Sequence, residues 1–182
     1  MRLFYALFIP QDLHPKLVEI QEKARPFKWR LTRPEQFHLT LLFMGEISEE
    51  WLDLFSEVGQ KVSGEVAPFV VKIGGMGYFP EGGSPRVWFV KAKGDGLEPL
   101  AQGLRQALPG FVGQSEKFKP HVTLARKKDP APRVNAEVAN LEFTANEFCL
   151  VESELDKSGS KYRIVERFGL VEIVQPRGGS QS

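Results

Sequence analysis

Apolar positions recur along the chain in two different rhythms. Residues 3–9 form a short, nearly unbroken run of aliphatic and aromatic side chains, which predicts a buried strand. Leu13, Leu17, Ile20 and Ala24 then repeat at helical spacing, with Asp12 as N-cap and Pro26 as the stop. Residues 37–43 predict a second strand, introduced by Pro34 and broken by Gly45. Ser48 is placed to cap a helix that turns Trp51, Leu52, Phe55, Val58 and Val62 to one face. Strands follow at 69–73 and 86–91, separated by a loop at 74–85 rich in Gly and Pro. A third helix starts near Asp95, where Asp95 and Glu98 have capping-box spacing; Leu97, Leu100, Ala101, Leu104 and Leu108 make its stripe. The last strands are predicted at 121–125, 147–155 and 162–170, the final two joined by a turn at 158–160. Residues 175–182 lack apolar content and predict a disordered tail.

Several of these strands follow one another directly. That order predicts an α+β fold with antiparallel sheets, not a doubly wound parallel one. No long linker interrupts the chain, so residues 1–174 are expected to form one domain of two fused lobes.

Composition narrows the field. The 182 residues carry a net charge of +1, so any anionic ligand must be held by local charge. The single cysteine, Cys149, lies in an apolar stretch and reads as a small buried hydrophobe; neither a disulfide framework nor a zinc-type spacing is available. The apolar N-terminal run is short, is ended by Pro10 and has no small-residue cleavage site, so it reads as a strand and not a signal peptide. No stretch of eighteen apolar residues is present, and no membrane association is expected. Together these features suit a cytoplasmic protein. Walker-type, dinucleotide-binding and nucleophile-elbow motifs are missing from the sequence.

The histidines point to a chemistry. The chain has three, and two stand in matching contexts: His38-Leu39-Thr40-Leu41 and His121-Val122-Thr123-Leu124. These lie roughly eighty residues apart, one in each half, suggesting an internal repeat. On a strand, His and Thr of each motif share one face, while Leu39 and Val122 point the other way into packing. Two such strands facing each other across a cleft offer two imidazoles and two hydroxyls. A neutral imidazole can take a proton from an attacking oxygen, and an imidazolium can give one to a leaving oxygen. The hydroxyls can hold the non-bridging oxygens of a phosphate. The set suffices for phosphoryl transfer without a metal or other cofactor. His14, alone on the polar side of a helix, reads as a solvated residue. Lys117, Lys119, Arg126, Lys127 and Lys128 surround the second motif, and Arg126 is suited to gripping phosphate. By strict alternation, however, Arg126 is off the His–Thr face and reaches it only if the strand bends.

The paired motifs resemble those of the two-histidine (2H) phosphoesterase superfamily. The chain is more closely similar to its bacterial and archaeal 2′-5′ RNA ligase-like branch, the RNA 2′,3′-cyclic phosphodiesterases. Segments 2–6, 37–45, 85–88 and 118–126 carry the likeness, with Gly159 and Tyr162 late in the chain. The resemblance implies a bilobal α+β fold with pseudo-two-fold symmetry, antiparallel sheets lining a central cleft and helices outside. It implies hydrolysis of RNA or nucleotide 2′,3′-cyclic phosphate ends to 2′-phosphates by a monomer without a metal. By matching positions, His38 is the proton donor and His121 the acceptor, Thr40 and Thr123 bind phosphate, and Arg126 supports the charge. Tyr162 and Trp88 read as packing residues, with stacking on a base as the alternative. Two other functions fit the same residues: 2′-5′ ligation of tRNA halves at the same site, and a non-catalytic module that binds RNA ends.

Overall fold

Strand β1 (Arg2–Phe8) is covered on both faces, which accounts for its apolar run without alternation. In the computed structural model, which describes residues 1–112, 117–127, 129, 131–138 and 140–173, Leu3, Tyr5 and Leu7 enter the main core. Phe4 and Ala6 face the other way and join Cys149 and Val151 in a smaller cluster, edged by Phe8, Tyr162 and Ile164. The tail expected at 175–182 lies outside the described residues, as does Lys128.

Two sets of four strands build the sheet. On one side β3 (His38–Glu46), β1, β8 (Glu147–Asp156) and β9 (Gly159–Gly169) lie in that order. On the other, β6 (His121–Arg126) is followed by β5 (Val87–Lys93), β4 (Phe69–Phe79) and β7 (Leu141–Ala145). All neighbours pair antiparallel. The sets meet where Leu39 of β3 pairs with Val122 of β6, so the two expected sheets are halves of one continuous sheet. The short β2 (Arg30–Leu31) pairs with the far end of β6.

The halves match in register as well as in order. Leu7 lies opposite Leu39 and Phe8 opposite His38, just as Val90 lies opposite Val122 and Lys91 opposite His121. A local two-fold therefore passes between Leu39 and Val122, each the residue after its histidine.

Among the described residues, three helices cover the core with their apolar stripes. Leu17 and Ile20 come from α1 (His14–Gln21), Phe55, Val58 and Val62 from α2 (Leu52–Ser63), and Leu97, Leu100 and Leu104 from α3 (Leu97–Ala107). α1 packs on β6, α3 on β3 and α2, and α2 also on β8 and β9.

Where the fold departs from the sequence pattern, the cause is local. Neither Asp12 nor Ser48 makes a side-chain capping bond, because 3₁₀ turns at Gln11–Leu13 and Glu49–Trp51 lead into those helices; Gly96, not Asp95, caps α3. Trp51, on the leading turn, is 43% exposed and meets Phe111 instead of the core. The Gly-rich residues 74–77 continue β4 instead of leaving it as a loop. Gly75 takes φ +76° within the irregular stretch between Ile73 and Met76, and a side chain at Gly77 would overlap the Phe89 ring. Gly45 likewise stays within β3, at φ +79°. β2 and β7 are too short for their periodicity to register.

Candidate active site

Both motif histidines sit at the first residue of their strands, and both are anchored in the same way. Nδ1 of His38 lies 2.7 Å from the Gln36 carbonyl oxygen, and Nδ1 of His121 lies 2.6 Å from that of Lys119. A carbonyl only accepts, so each Nδ1 carries the hydrogen and each Nε2 is left for chemistry. Nε2 of His38 stands 3.1 Å from Oγ1 of Thr40.

Leu39 and Val122 are fully buried in the main core, so His38, Thr40, His121 and Thr123 share the opposite face. Leu39–Val122 pairing brings the two motifs side by side at the centre of the sheet.

Arg126 reaches this face because β6 contains a bulge. Phe89 pairs with Thr123 and the preceding Trp88 pairs with Ala125, so Leu124 is an extra residue. Leu124 and Ala125 both point into the core, and the alternation after them is reversed. Arg126 then emerges on the histidine side, where its charge lowers the pKa of both His38 and His121. The same step occurs in the other half. Ala6 pairs with Thr40 and Tyr5 with Leu42, so Leu41 is the extra residue, and Phe43 occupies the place that matches Arg126.

Aromatic rings enclose the imidazoles. Phe4 and Tyr162 lie with ring centroids 5.2 Å from that of His38, and Phe8 lies at 6.0 Å. Phe79 and Phe89 each lie 5.0 Å from His121. This burial is the main reason that the pKa of His38 falls to about 4, with Arg126 and His121 adding repulsion. Burial lowers His121 too, and Arg126 adds to it. In the free protein both imidazoles are thus biased towards the neutral form.

A cavity opens on either side of the pair. One, of about 750 Å³, is lined by Thr40, Phe43, Phe79, Phe118, Lys119 and His121. The other, of about 620 Å³, contains Arg30, Arg33, Gln36, Arg126 and Tyr162. Among the described residues no group of three or more His, Cys, Asp or Glu is placed to hold a metal ion.

Several sequence expectations are revised by these surroundings. His14 is half-buried, not solvated: its Nε2 lies 2.9 Å from the Ile9 carbonyl oxygen and its ring meets Phe37 edge-on. Lys127 points away from the histidines, bonding the Ala131 carbonyl and lying over Trp29. Trp88 is fully buried, as expected, whereas Tyr162 lines the site. Cys149 is a buried apolar residue whose thiol is pushed up to about 11 by burial. The enclosing phenylalanines went unrecognised, since nothing in their local sequence separates them from core residues. The bulges did leave a signal: apolar doublets, Leu41-Leu42 and Leu124-Ala125, break the alternation after each threonine.

Known proteins show the same arrangement of chain. The family model described as the 2′-5′ RNA ligase superfamily matches residues 9–157. An RNA 2′,3′-cyclic phosphodiesterase of Thermus thermophilus is 45% identical over 179 residues, covering 93% of this chain and 90% of that protein. One from Archaeoglobus fulgidus is 33% identical over 181 residues, covering 92% and 99%. A crystal structure of a Thermus thermophilus protein superposes with a TM-score of 0.89 at 45% identity, covering 93% of this chain and 98% of that one. LigT of E. coli in complex with 3′-AMP superposes with a TM-score of 0.82 at 25% identity, covering 94% and 98%.

Proposed function

The chain belongs to the 2′-5′ RNA ligase superfamily, and from that premise we propose that it is an RNA 2′,3′-cyclic phosphodiesterase whose acid–base pair is His38 and His121. The observation that carries this reading is the pairing of Leu39 with Val122, which sets two identically anchored imidazoles side by side on one face.

In the reaction, water attacks the phosphorus of the cyclic phosphate and the bond from phosphorus to O3′ breaks, leaving a 2′-phosphate. Neutral Nε2 of His121 takes the proton from water. Protonated Nε2 of His38 delivers one to the departing O3′. The two Nδ1–H groups, held by backbone carbonyls, keep both Nε2 atoms aimed at the phosphate throughout. The hydroxyls of Thr40 and Thr123 donate to the non-bridging oxygens, and Arg126 balances the charge that builds on them. The direction of transfer, with His38 as acid, follows the likeness of segments 37–45 and 118–126 to the family. Binding of the anionic phosphate raises both histidine pKa values, which supplies the protonated His38 that the free protein disfavours.

No metal or other cofactor takes part in this scheme. The protein acts as a monomer on RNA or nucleotide ends in the cytoplasm, a compartment supported by its lone buried thiol. Among the described residues no helix is long and apolar enough to cross a membrane.

The test is incubation of EDTA-treated protein with 2′,3′-cyclic AMP, separating 2′- from 3′-phosphate products. Release of 2′-AMP is the expected result. His38→Ala and His121→Ala should each lower kcat by about 10³-fold or more, and the double variant should be little worse than either. Release of 3′-AMP, or full activity in either variant, refutes the assignment. Ligation through the same groups is the same ring opening with an RNA 5′-hydroxyl in place of water, and in water hydrolysis dominates it.

A further inference from the structure

Gln21 is a buried polar side chain that the reaction scheme does not use. It is the last residue of α1 and only 3% exposed. Leu17 and Ile20 of the same helix dock α1 through apolar contact. An amide in that interface costs desolvation unless its hydrogens are bonded, so the place where they go is informative. Nε2 donates to the Leu124 carbonyl oxygen at 2.7 Å and to the Thr32 carbonyl oxygen at 2.9 Å. Both partners can only accept, which fixes the nitrogen towards them.

Leu124 is the extra residue of β6. It has no partner on β5, because Thr123 pairs with Phe89 and Ala125 with Trp88. On the other side of β6, β3 meets it at Leu39–Val122, and β2 begins to pair only at Leu31–Ala125. The Leu124 carbonyl oxygen is instead taken up by the backbone N–H of Thr32, the residue after β2, at 2.8 Å. Gln21 adds a second bond to that oxygen, and its other hydrogen goes to the carbonyl of Thr32 itself. One side chain thus ties the bulge to the segment that flanks it, from a helix 103 residues away in the sequence.

The phase of the strand beyond Leu124 depends on this bulge. With regular alternation from Thr123, Arg126 would fall on the opposite face of the sheet from the histidines. We propose that Gln21 is a positioning residue for Arg126: its amide locks the β6 bulge in the phase that turns the guanidinium towards the histidine pair. Support for the site then extends through the sheet to α1, which covers the core face and touches neither histidine motif from the substrate side. The consequence for catalysis rests on the reading of the site as a cyclic phosphodiesterase; the placement of the guanidinium does not.

The experiment uses Gln21→Met, which keeps length and volume but removes both donors. Arg126 lowers the pKa of His38 and of His121, so its displacement is read at those rings by NMR titration of the free protein. In Gln21→Met, shown to be folded by circular dichroism, both pKa values should rise, by most of the rise that Arg126→Ala produces. The double variant Gln21→Met/Arg126→Ala should titrate like Arg126→Ala alone, because both changes act through one group. With 2′,3′-cyclic AMP, kcat/KM should fall about tenfold in Gln21→Met, and the double variant should be no worse than Arg126→Ala. A residue that only fastens α1 to the sheet would lower Tm and leave both histidines unmoved, and that result overturns the inference. So does a shift that adds to that of Arg126→Ala, which would mean that Gln21 acts on the imidazoles by another route. If Gln21→Met does not fold, Gln21→Asn, which draws the amide back from the two carbonyls by one methylene, is judged by the same titration. Failure of the underlying reading shows separately, as no turnover of 2′,3′-cyclic AMP by wild type, and the titration still decides the role of Gln21.

Discussion

At the scale of single residues, the site is a balance between enclosure and charge. Phe4, Phe8 and Tyr162 strip water from His38, and the resulting low pKa has a cost for the folded state. Between about pH 6.5 and about 4 the unfolded chain binds a proton at His38 that the folded chain refuses. Unfolding therefore takes up a proton in that window, and stability falls as pH drops through it. The loss should be on the order of 2 kcal/mol, discounted because the ring keeps some contact with solvent. Urea denaturation at pH 7 and pH 4 measures it, and the difference should shrink in His38→Ala. The same enclosure shapes catalysis. The acid limb of the pH profile should lie higher for kcat than for kcat/KM, because bound phosphate raises the histidine pKa values that the free enzyme holds down. Coincident limbs would show that the phosphate does not sit beside the pair.

At the scale of the element, the strands do more than display alternating residues. Much of the site was legible in the sequence because the two His-x-Thr motifs follow period-two geometry, and pairing at Leu39–Val122 sets them together. Arg126 was half legible: its chemistry suited phosphate, but its phase did not. The extra residue at Leu124 corrects that phase, and such a bulge is a property of two strands that one strand's sequence only hints at. The basic cavity was not legible at all, since Arg30 and Arg126 are far apart in the chain and β2 is two residues long. The enclosing phenylalanines were equally hidden, because an apolar run does not say which of its faces meets the core. If the bulge places Arg126 as described, Arg126→Ala should lower kcat/KM by about 10²-fold, with Arg126→Lys restoring only part. It should also raise the pKa of both histidines, because a nearby cation opposes their protonation. An NMR titration of the free variant reads that shift, and unmoved histidine resonances would place the guanidinium elsewhere.

At the scale of the molecule, two four-strand halves are joined in the sheet through the Leu39–Val122 pair, with α1 and α3 packed on the strands that carry it. Leu39 is fully buried at this seam, so Leu39→Ala should cost about 2–5 kcal/mol of stability, measured by urea denaturation. Activity should fall further than the folded fraction does, since the pair also sets the spacing of the motifs. The equal steps at Leu41 and Leu124 reach beyond stability. Chemistry sits near the symmetry axis, whereas the walls that tell one end of a substrate from the other lie off it. The two ends are thus told apart by the side chains at positions 43 and 126, one of which, Arg126, also faces the histidines. Exchanging the residues at 43 and 126 would turn the walls of the site end for end about an axis that leaves the two histidines in equivalent places.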